Sequence, residues 1–186
     1  VSTSPILIQN FKTPLGELIL GDYQHRLCLC DWKFRKSRAA IDKRIKVGLK
    51  TTFMEENSPL LEDAKSQLNH YFDKKLKVFD LPLLTIGTEF QKKVWDALLE
   101  IPFGETETYS GLSEKLGSPE AIRAIAMANG ANAISIFIPC HRVVGKSGDL
   151  VGYAGGLPAK LKLLELEGVG FGKNAAFSGV LPIEFG

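Results

Sequence analysis

The chain has 186 residues, 45% hydrophobic and 24% charged, with mean hydropathy +0.02. That much apolar material excludes disorder for the bulk of the chain, and no apolar run approaches the ~20 residues that a transmembrane helix needs. The formal net charge is only +2, so charge alone does not mark a nucleic-acid binder.

The charge is uneven along the chain. Residues 1–86 carry 14 Lys/Arg against 10 Asp/Glu, and residues 87–167 carry 8 against 10. Eight bases and one acid, Asp42, fall between Lys33 and Lys50. Such a cluster fits nucleic-acid phosphates or a solvated helix face, and both readings stand at this point. The N-terminus lacks the basic start and apolar core of a signal peptide, which predicts an intracellular protein, cytoplasmic or, in a eukaryote, nuclear. Three cysteines make no disulfide framework and read as reactive, metal-binding or buried thiols.

In chain order, Asn10–Gly21 holds two short apolar runs around Pro14 and Gly16, and Leu27–Trp32 is a third. These read as a small antiparallel sheet. Ser58-Pro59 opens a helix whose Leu61, Ala64, Leu68 and Phe72 fall at helical spacing. Leu81–Gly87 connects to the second half. There Thr88 caps a helix carrying Phe90, Val94, Trp95, Leu98 and Leu99 on one side, stopped by Pro102 and Gly104. Ser110–Leu116 and Ala121–Ala128 are two short helices joined through Gly117, with Ser118 as expected N-cap of the second. Together they carry the helix-turn-helix signature. A strand over Ile134–Ile138, the hexapeptide Pro139–Val144, a glycine-dotted loop from Gly145 to Gly156 and a helix over Pro158–Glu167 follow. The expected fold class is α+β: an N-terminal domain over 1–86 with a small antiparallel sheet and helices, a mostly helical, winged-helix-like domain over 87–170, and a tail over 171–186.

Chemistry concentrates at Cys140. A thiol reacts as thiolate, and its unperturbed pKa near 8.5 leaves little of it ionised at neutral pH. His141 is a candidate base, although neighbours on an extended strand point to opposite faces, so the pair cooperates only if the chain turns or a water bridges them. Glu165 and Glu167 are the carboxylates in reach to orient the histidine. A buried cysteine beside a surface histidine fits the same two residues. The set His25, Cys28 and Cys30 does not converge on a tetrahedral metal centre along one strand.

The segment PCHRVV resembles the active-site signature of the O6-alkylguanine-DNA alkyltransferases (methylated-DNA–protein-cysteine methyltransferases). FQKKVWDALLEIPFGETETYSGLSEKLG resembles the family's first helices, RAIAMANGANAISIFIPCHRVVG its recognition helix and active-site segment, and GDLVGYAGGLPAKLKLLELEG its closing loop and helix. TPLGELILG is similar to its N-terminal strand pair. The resemblance is dense over 88–168 and thinner before it. It implies a DNA-repair protein, with no cofactor and no metal, that acts as a monomer on double-stranded DNA and has no membrane partner. The alkyl group of O6-alkylguanine, and of O4-alkylthymine, would pass once to the protein's own cysteine.

Residue by residue, the resemblance implies Cys140 as acceptor, His141 as base through water and Glu167 as the carboxylate that orients it. Asn132 ties the recognition helix to the active-site segment. Tyr109 rotates the target phosphate and protonates the leaving guanine. Arg123 enters the duplex in place of the flipped nucleotide, with Ala121 and Ala124 on the small-sided helix that meets the minor groove. Val143, Tyr153, Ala154, Gly155 and Gly156 wall the pocket, and Ser135 stands where some members carry a pocket-lining proline. The positions matching the zinc ligands of some relatives hold Tyr23 and Cys28, which implies no zinc here. A lesion-binding protein without chemistry and a cysteine hydrolase using Cys140 and His141 are the alternative functions.

Overall fold

The computed structural model describes residues 4–171. All but the first residue of the expected tail, 171–186, lies outside the described residues.

Strands β1 (Ile6–Thr13), β2 (Gly16–Tyr23) and β3 (Arg26–Trp32) form an antiparallel meander. The β1–β2 turn is fixed locally: the Thr13 hydroxyl donates to the Gly16 carbonyl (2.8 Å) and accepts from the Leu15 amide (3.1 Å). At the β2–β3 turn, Gln24 and His25 both take positive φ (51° and 61°), the conformation whose twist matches a two-residue hairpin. Helix α1 (Arg38–Leu49) then returns the chain to β4 (Phe53–Glu55), which pairs parallel to β1 in the order β3-β2-β1-β4. The sheet is therefore mixed rather than purely antiparallel. Three residues at the sheet edge gave too short a pattern to show in the sequence.

Helix α2 (Pro59–Phe72) starts as expected, with the Ser58 hydroxyl accepting from the Leu61 amide at 3.2 Å. It buries Leu61, Ala64, Leu68 and Tyr71; each large apolar side chain so buried contributes about 2 kcal/mol. Nearly every residue of β3 is buried, because its side chains divide between two clusters. Leu27, Cys30 and Trp32 join the cluster containing the buried residues of α2, while Cys28 and Leu29 join Ile41 and Ile45 of α1.

In the second half, α3 (Glu89–Leu99) begins with a reciprocal cap between Thr88 and Gln91. It buries Val94, Trp95 and Leu98, whereas Phe90 and Leu99, expected on the same side, are exposed. The short strand β5 (Glu107–Thr108) leads into α4 (Tyr109–Lys115), and after Gly117 at φ 68° comes α5 (Ile122–Gly130). Ser118 does not cap α5. The helix begins at Ile122 with Ala121 at its cap position, because Ser118 is used in the preceding turn, its carbonyl accepting from the Ala121 amide. Trp95 donates its indole N–H to the Ala128 carbonyl (2.8 Å), tying α3 to the end of α5.

Ile134–Ile138 is not a strand. Asn132 closes it into a buried loop, its Nδ2 donating to the Ile138 carbonyl and its Oδ1 accepting from the Ile134 amide, both at 2.9 Å. Ile136 takes φ 74° within it. Pairing with β3 is limited to a single bridge at Cys30–Ile134. The apolar run that suggested a strand is apolar because the loop is buried. After a 3-10 turn at Cys140–Arg142 come β6 (Val143–Val144), parallel to β5, and α6 (Leu157–Leu166). No helix among the described residues is long and apolar enough to cross a membrane.

Candidate active site

The closed loop sets Cys140 at the first residue of the 3-10 turn, where it borders a cavity of about 810 Å³. Tyr109 from α4, Ala126 and Asn129 from α5, Tyr153 to Gly156 from the closing loop and Trp32 from β3 also line it. Gly155 admits no side chain: a Cβ there would lie 2.5 Å from Trp32 Cε2. The indole of Trp32 and the phenol of Tyr153 meet edge to face, with ring centroids 6.0 Å apart. The cavity is thus built by both halves of the chain.

Cys140 and His141 share a tight turn rather than an extended strand, but the thiol and the imidazole make no direct hydrogen bond. His141 is fully buried, and its Nε2 lies 2.7 Å from Glu167 Oε1. Glu167 ends α6 and accepts four more hydrogen bonds: Tyr71 hydroxyl at 2.6 Å, Arg142 Nε at 2.9 Å, Arg142 Nη2 at 3.1 Å and the Gly104 amide at 3.2 Å. Gly104 sits at φ 81°, and a Cβ there would be 2.9 Å from the Glu167 carbonyl oxygen. Burial raises the carboxyl's pKa, but His141, Arg142 and Tyr71 outweigh it and hold Glu167 at about 2. An ionised Glu167 accepts a hydrogen bond from the Nε2–H of His141, so Nδ1 carries the lone pair; Nδ1 is buried with no partner among the described residues.

Burial lowers the His141 pKa more than the Glu167 carboxylate raises it, with Arg142 and Lys160 adding to the lowering. Arg142 already compensates the carboxylate, and the imidazole is neutral at neutral pH. The thiol of Cys140 is pushed up by burial, opposed by a hydrogen bond from Asn132 and by the charges of Lys160 and Arg35. The resting pair is therefore a protonated thiol beside a neutral imidazole with an open acceptor nitrogen. Burial also lifts Tyr109, to about 12, so its phenol keeps its proton.

Of the sequence candidates, Cys140, Tyr109 and Tyr153 to Gly156 border one cavity, while His141, Glu167 and Asn132 are buried outside its lining, His141 against Glu167 and Asn132 against the loop that leads to Cys140. Arg123 and Ala124 are exposed on α5, with Ala121 half-buried at its start. Val143 and Ser135 do not line the cavity. Val143 is buried in β6, and the Ser135 hydroxyl donates to Asp31 Oδ1 (3.3 Å). Glu165 is an exposed partner of Lys162 (3.1 Å), which leaves Glu167 alone in the orienting position.

Several site residues were missed. Lys160 is fully buried and donates to the carbonyls of Val143 (2.6 Å), Val151 (2.7 Å) and Gly152 (3.3 Å), holding the closing loop over the active-site segment. Burial drops its pKa to about 8. A signal for it existed: Lys160, Leu163, Leu164 and Glu167 share one helical face, an apolar face interrupted by two charges. Much of the basic cluster turns inward. Arg35 and Arg38 pair with the buried Asp31 (3.1 and 2.8 Å), and Arg35 and Arg44 also donate to the carbonyls of Asn132 (3.2 Å) and Ala131 (2.7 Å) at the end of α5. Neither phosphate binding nor a solvated face describes these arginines.

Residues 6–85 match the family model described as 6-O-methylguanine DNA methyltransferase, ribonuclease-like domain, and residues 89–169 match its DNA binding domain. A methylated-DNA–protein-cysteine methyltransferase of Methanosarcina acetivorans is 44% identical over 158 residues, 85% of this chain and 96% of that one. The constitutive enzyme of that name from Bacillus subtilis is 40% identical over 164 residues, 86% of this chain and 94% of that one. Among solved structures, the O6-methylguanine methyltransferase of Mycobacterium tuberculosis superposes with TM-score 0.74 at 38% identity, covering 87% of this chain and 92% of that one. Its complex with DNA also gives 0.74, at 39% identity, covering 86% and 91%.

Proposed function

The chain belongs to the 6-O-methylguanine DNA methyltransferase family, and from that membership we propose how its own residues carry out the repair. It removes alkyl groups from O6-alkylguanine in double-stranded DNA by direct, stoichiometric transfer to a cysteine of the protein. The acceptor is Cys140. The reacting carbon is out of reach within a stacked duplex, so the nucleotide must be extruded. Helix α5 enters the minor groove with its small residues Ala121 and Ala124 against the backbone, and Arg123 fills the gap in the stack.

In the cavity, Cys140 loses its proton towards Nδ1 of His141 through a bridging water. Glu167 stabilises the imidazolium that forms. The sulfur attacks the alkyl carbon, the S–C bond forms as the C–O6 bond breaks, and the electron pair passes into the guanine. Tyr109 donates its hydroxyl proton to N3 of the base, so a neutral guanine leaves. The thioether has no route back, and each molecule acts once.

The observation that carries this reading is the placement of His141, with Nε2 held by an ionised carboxylate and Nδ1 left open, in the same tight turn as a cavity-facing thiol. All three cysteines are free, which fits a reducing compartment: the cytoplasm, or the nucleus of a eukaryote. Transfer of labelled methyl from O6-methylguanine duplex to protein tests it. Cys140→Ser should abolish transfer, and Arg123→Ala should slow reaction with duplex far more than with O6-methylguanine as free base. Transfer surviving in Cys140→Ser overturns the acceptor, and equal slowing on both substrates overturns the intercalating role.

A further inference from the structure

Asn129 lies on the inward face of α5, 5% exposed, and borders the cavity between Tyr109 and Cys140. Its Nδ2 is 3.3 Å from the Tyr109 hydroxyl oxygen and 3.5 Å from the Cys140 carbonyl oxygen. The carbonyl dictates which way the amide faces, since a flipped amide would set two acceptors against each other. With one N–H directed at the phenol oxygen, a lone pair of that oxygen is engaged, and the hydroxyl hydrogen must point elsewhere. On its other side lies the cavity. Asn129 Oδ1 is buried with no partner among the described residues, so the side chain is held through its donor end alone.

We propose that Asn129 is the positioning residue for the second proton transfer: it aims the Tyr109 hydroxyl hydrogen at the flipped base and stabilises the phenolate left behind. The inference rests on Tyr109 being the donor to guanine N3. As the S–C bond forms and the C–O6 bond breaks, the phenol proton moves to N3 and negative charge develops on the phenol oxygen. An amide N–H already aimed at that oxygen stabilises the charge without reorganisation. Solvent then returns a proton to the phenolate. The effect matters because burial already opposes ionisation of this phenol, and the Asn129 hydrogen bond works against that burial.

The test is a double-mutant cycle with single-turnover kinetics on duplex O6-methylguanine. Asn129→Leu fills the same space without a donor and should slow transfer about 10-fold, with the duplex Kd changed by less than about 2-fold. In a Tyr109→Phe background the same substitution should cost less than about 2-fold, because no phenol remains to be aimed. Asn129→Gln, which keeps a donor, should recover part of the rate. If Asn129→Leu does not fold, judged by its melting temperature, Asn129→Ala removes the donor without adding a charge and should show the same cycle. Equal losses in both backgrounds would overturn the role of Asn129 while leaving Tyr109 as donor. An unchanged rate in Tyr109→Phe alone would instead overturn the donor assignment itself.

Discussion

Replacing Glu167 by glutamine tests the buried network behind the thiol. The carboxylate accepts from Tyr71, His141, Gly104 and twice from Arg142. An amide of the same shape keeps one acceptor and turns the other oxygen into a donor. That donor faces either the Arg142 guanidinium and the Gly104 N–H or the Tyr71 and His141 donors. Two routes give the cost. A carboxyl held at about 2 rather than 4.5 favours the folded state by about 3 kcal/mol at neutral pH. Removing one partner of a buried pair leaves the other charge uncompensated, at about 3–5 kcal/mol. The expected loss is therefore about 3–4 kcal/mol, a large fraction of the ~5–15 kcal/mol of a typical domain. Urea unfolding at pH 7 reads it as a lower midpoint at constant slope. Because the folded pKa is depressed, this stability is present above the unfolded value and is lost as pH falls from 4.5 towards 2. The gap between wild type and variant should close over that window. Methyl transfer should slow by about 10- to 100-fold, since His141 loses the anion that stabilises its protonated form. A stability loss below about 1 kcal/mol would show that the Glu167 carboxylate does not compensate the buried Arg142 charge.

Further outcomes follow from other parts of the site. His141 is buried with its pKa below 6.5, so the unfolded chain binds a proton that the folded site resists. Stability should therefore begin to fall as pH drops below 6.5, whereas the transfer rate of folded protein should hold through 6.5 and fall only at the lower pH where the buried imidazole takes a proton; a rate that already falls by half at pH 6.5 or above would contradict the neutral base. Gly155→Val should force the Trp32 ring aside and narrow the cavity, slowing reaction with O6-benzylguanine more than with the O6-methyl base; an equal rate ratio would remove Gly155 from the wall. Arg35→Ala should cost about 2–3 kcal/mol and speed amide exchange across residues 129–133, because Asp31 and the end of α5 lose a shared partner. Unchanged exchange there would show that the inward arginines do not hold the end of α5.

How much of this was readable from sequence divides along physical lines. Local rules placed the capped starts of α2 and α3, where Ser58 and Thr88 meet amides a few residues ahead. The residues themselves singled out Cys140 and His141 with Glu165 or Glu167; the choice of Glu167 and the inclusion of Tyr109 came only with the family resemblance, and the structure brings Tyr109 and Cys140 to one cavity and His141 to Glu167. Periodicity failed at Ile134–Ile138, because a buried loop closed by Asn132 is as apolar as a buried strand. It failed again at Ser118, where a good capping residue is consumed by the turn before the helix. The remaining misses depend on contacts across the two halves. Nothing near Trp32 in the chain announces that it borders the cavity of Cys140, and nothing near Arg35 or Arg44 announces carbonyls almost a hundred residues away. Asn129 falls just past Ala128, where the sequence ended its helix, and no sequence signal singled it out; the helix in fact runs to Gly130. The role of Asn129 depends on the angle at which α4 and α5 meet.

Whether Cys140 is the alkyl acceptor is decided by the mass of the protein, peptide by peptide, after exhaustive reaction with duplex DNA carrying O6-methylguanine. One methyl in place of one hydrogen is expected on the peptide containing Cys140, with Cys28 and Cys30 unmodified and lesions lost in equal number to molecules of protein methylated. Repaired DNA accompanied by an unmodified Cys140 peptide, or more lesions cleared than protein molecules present, would contradict stoichiometric transfer to Cys140.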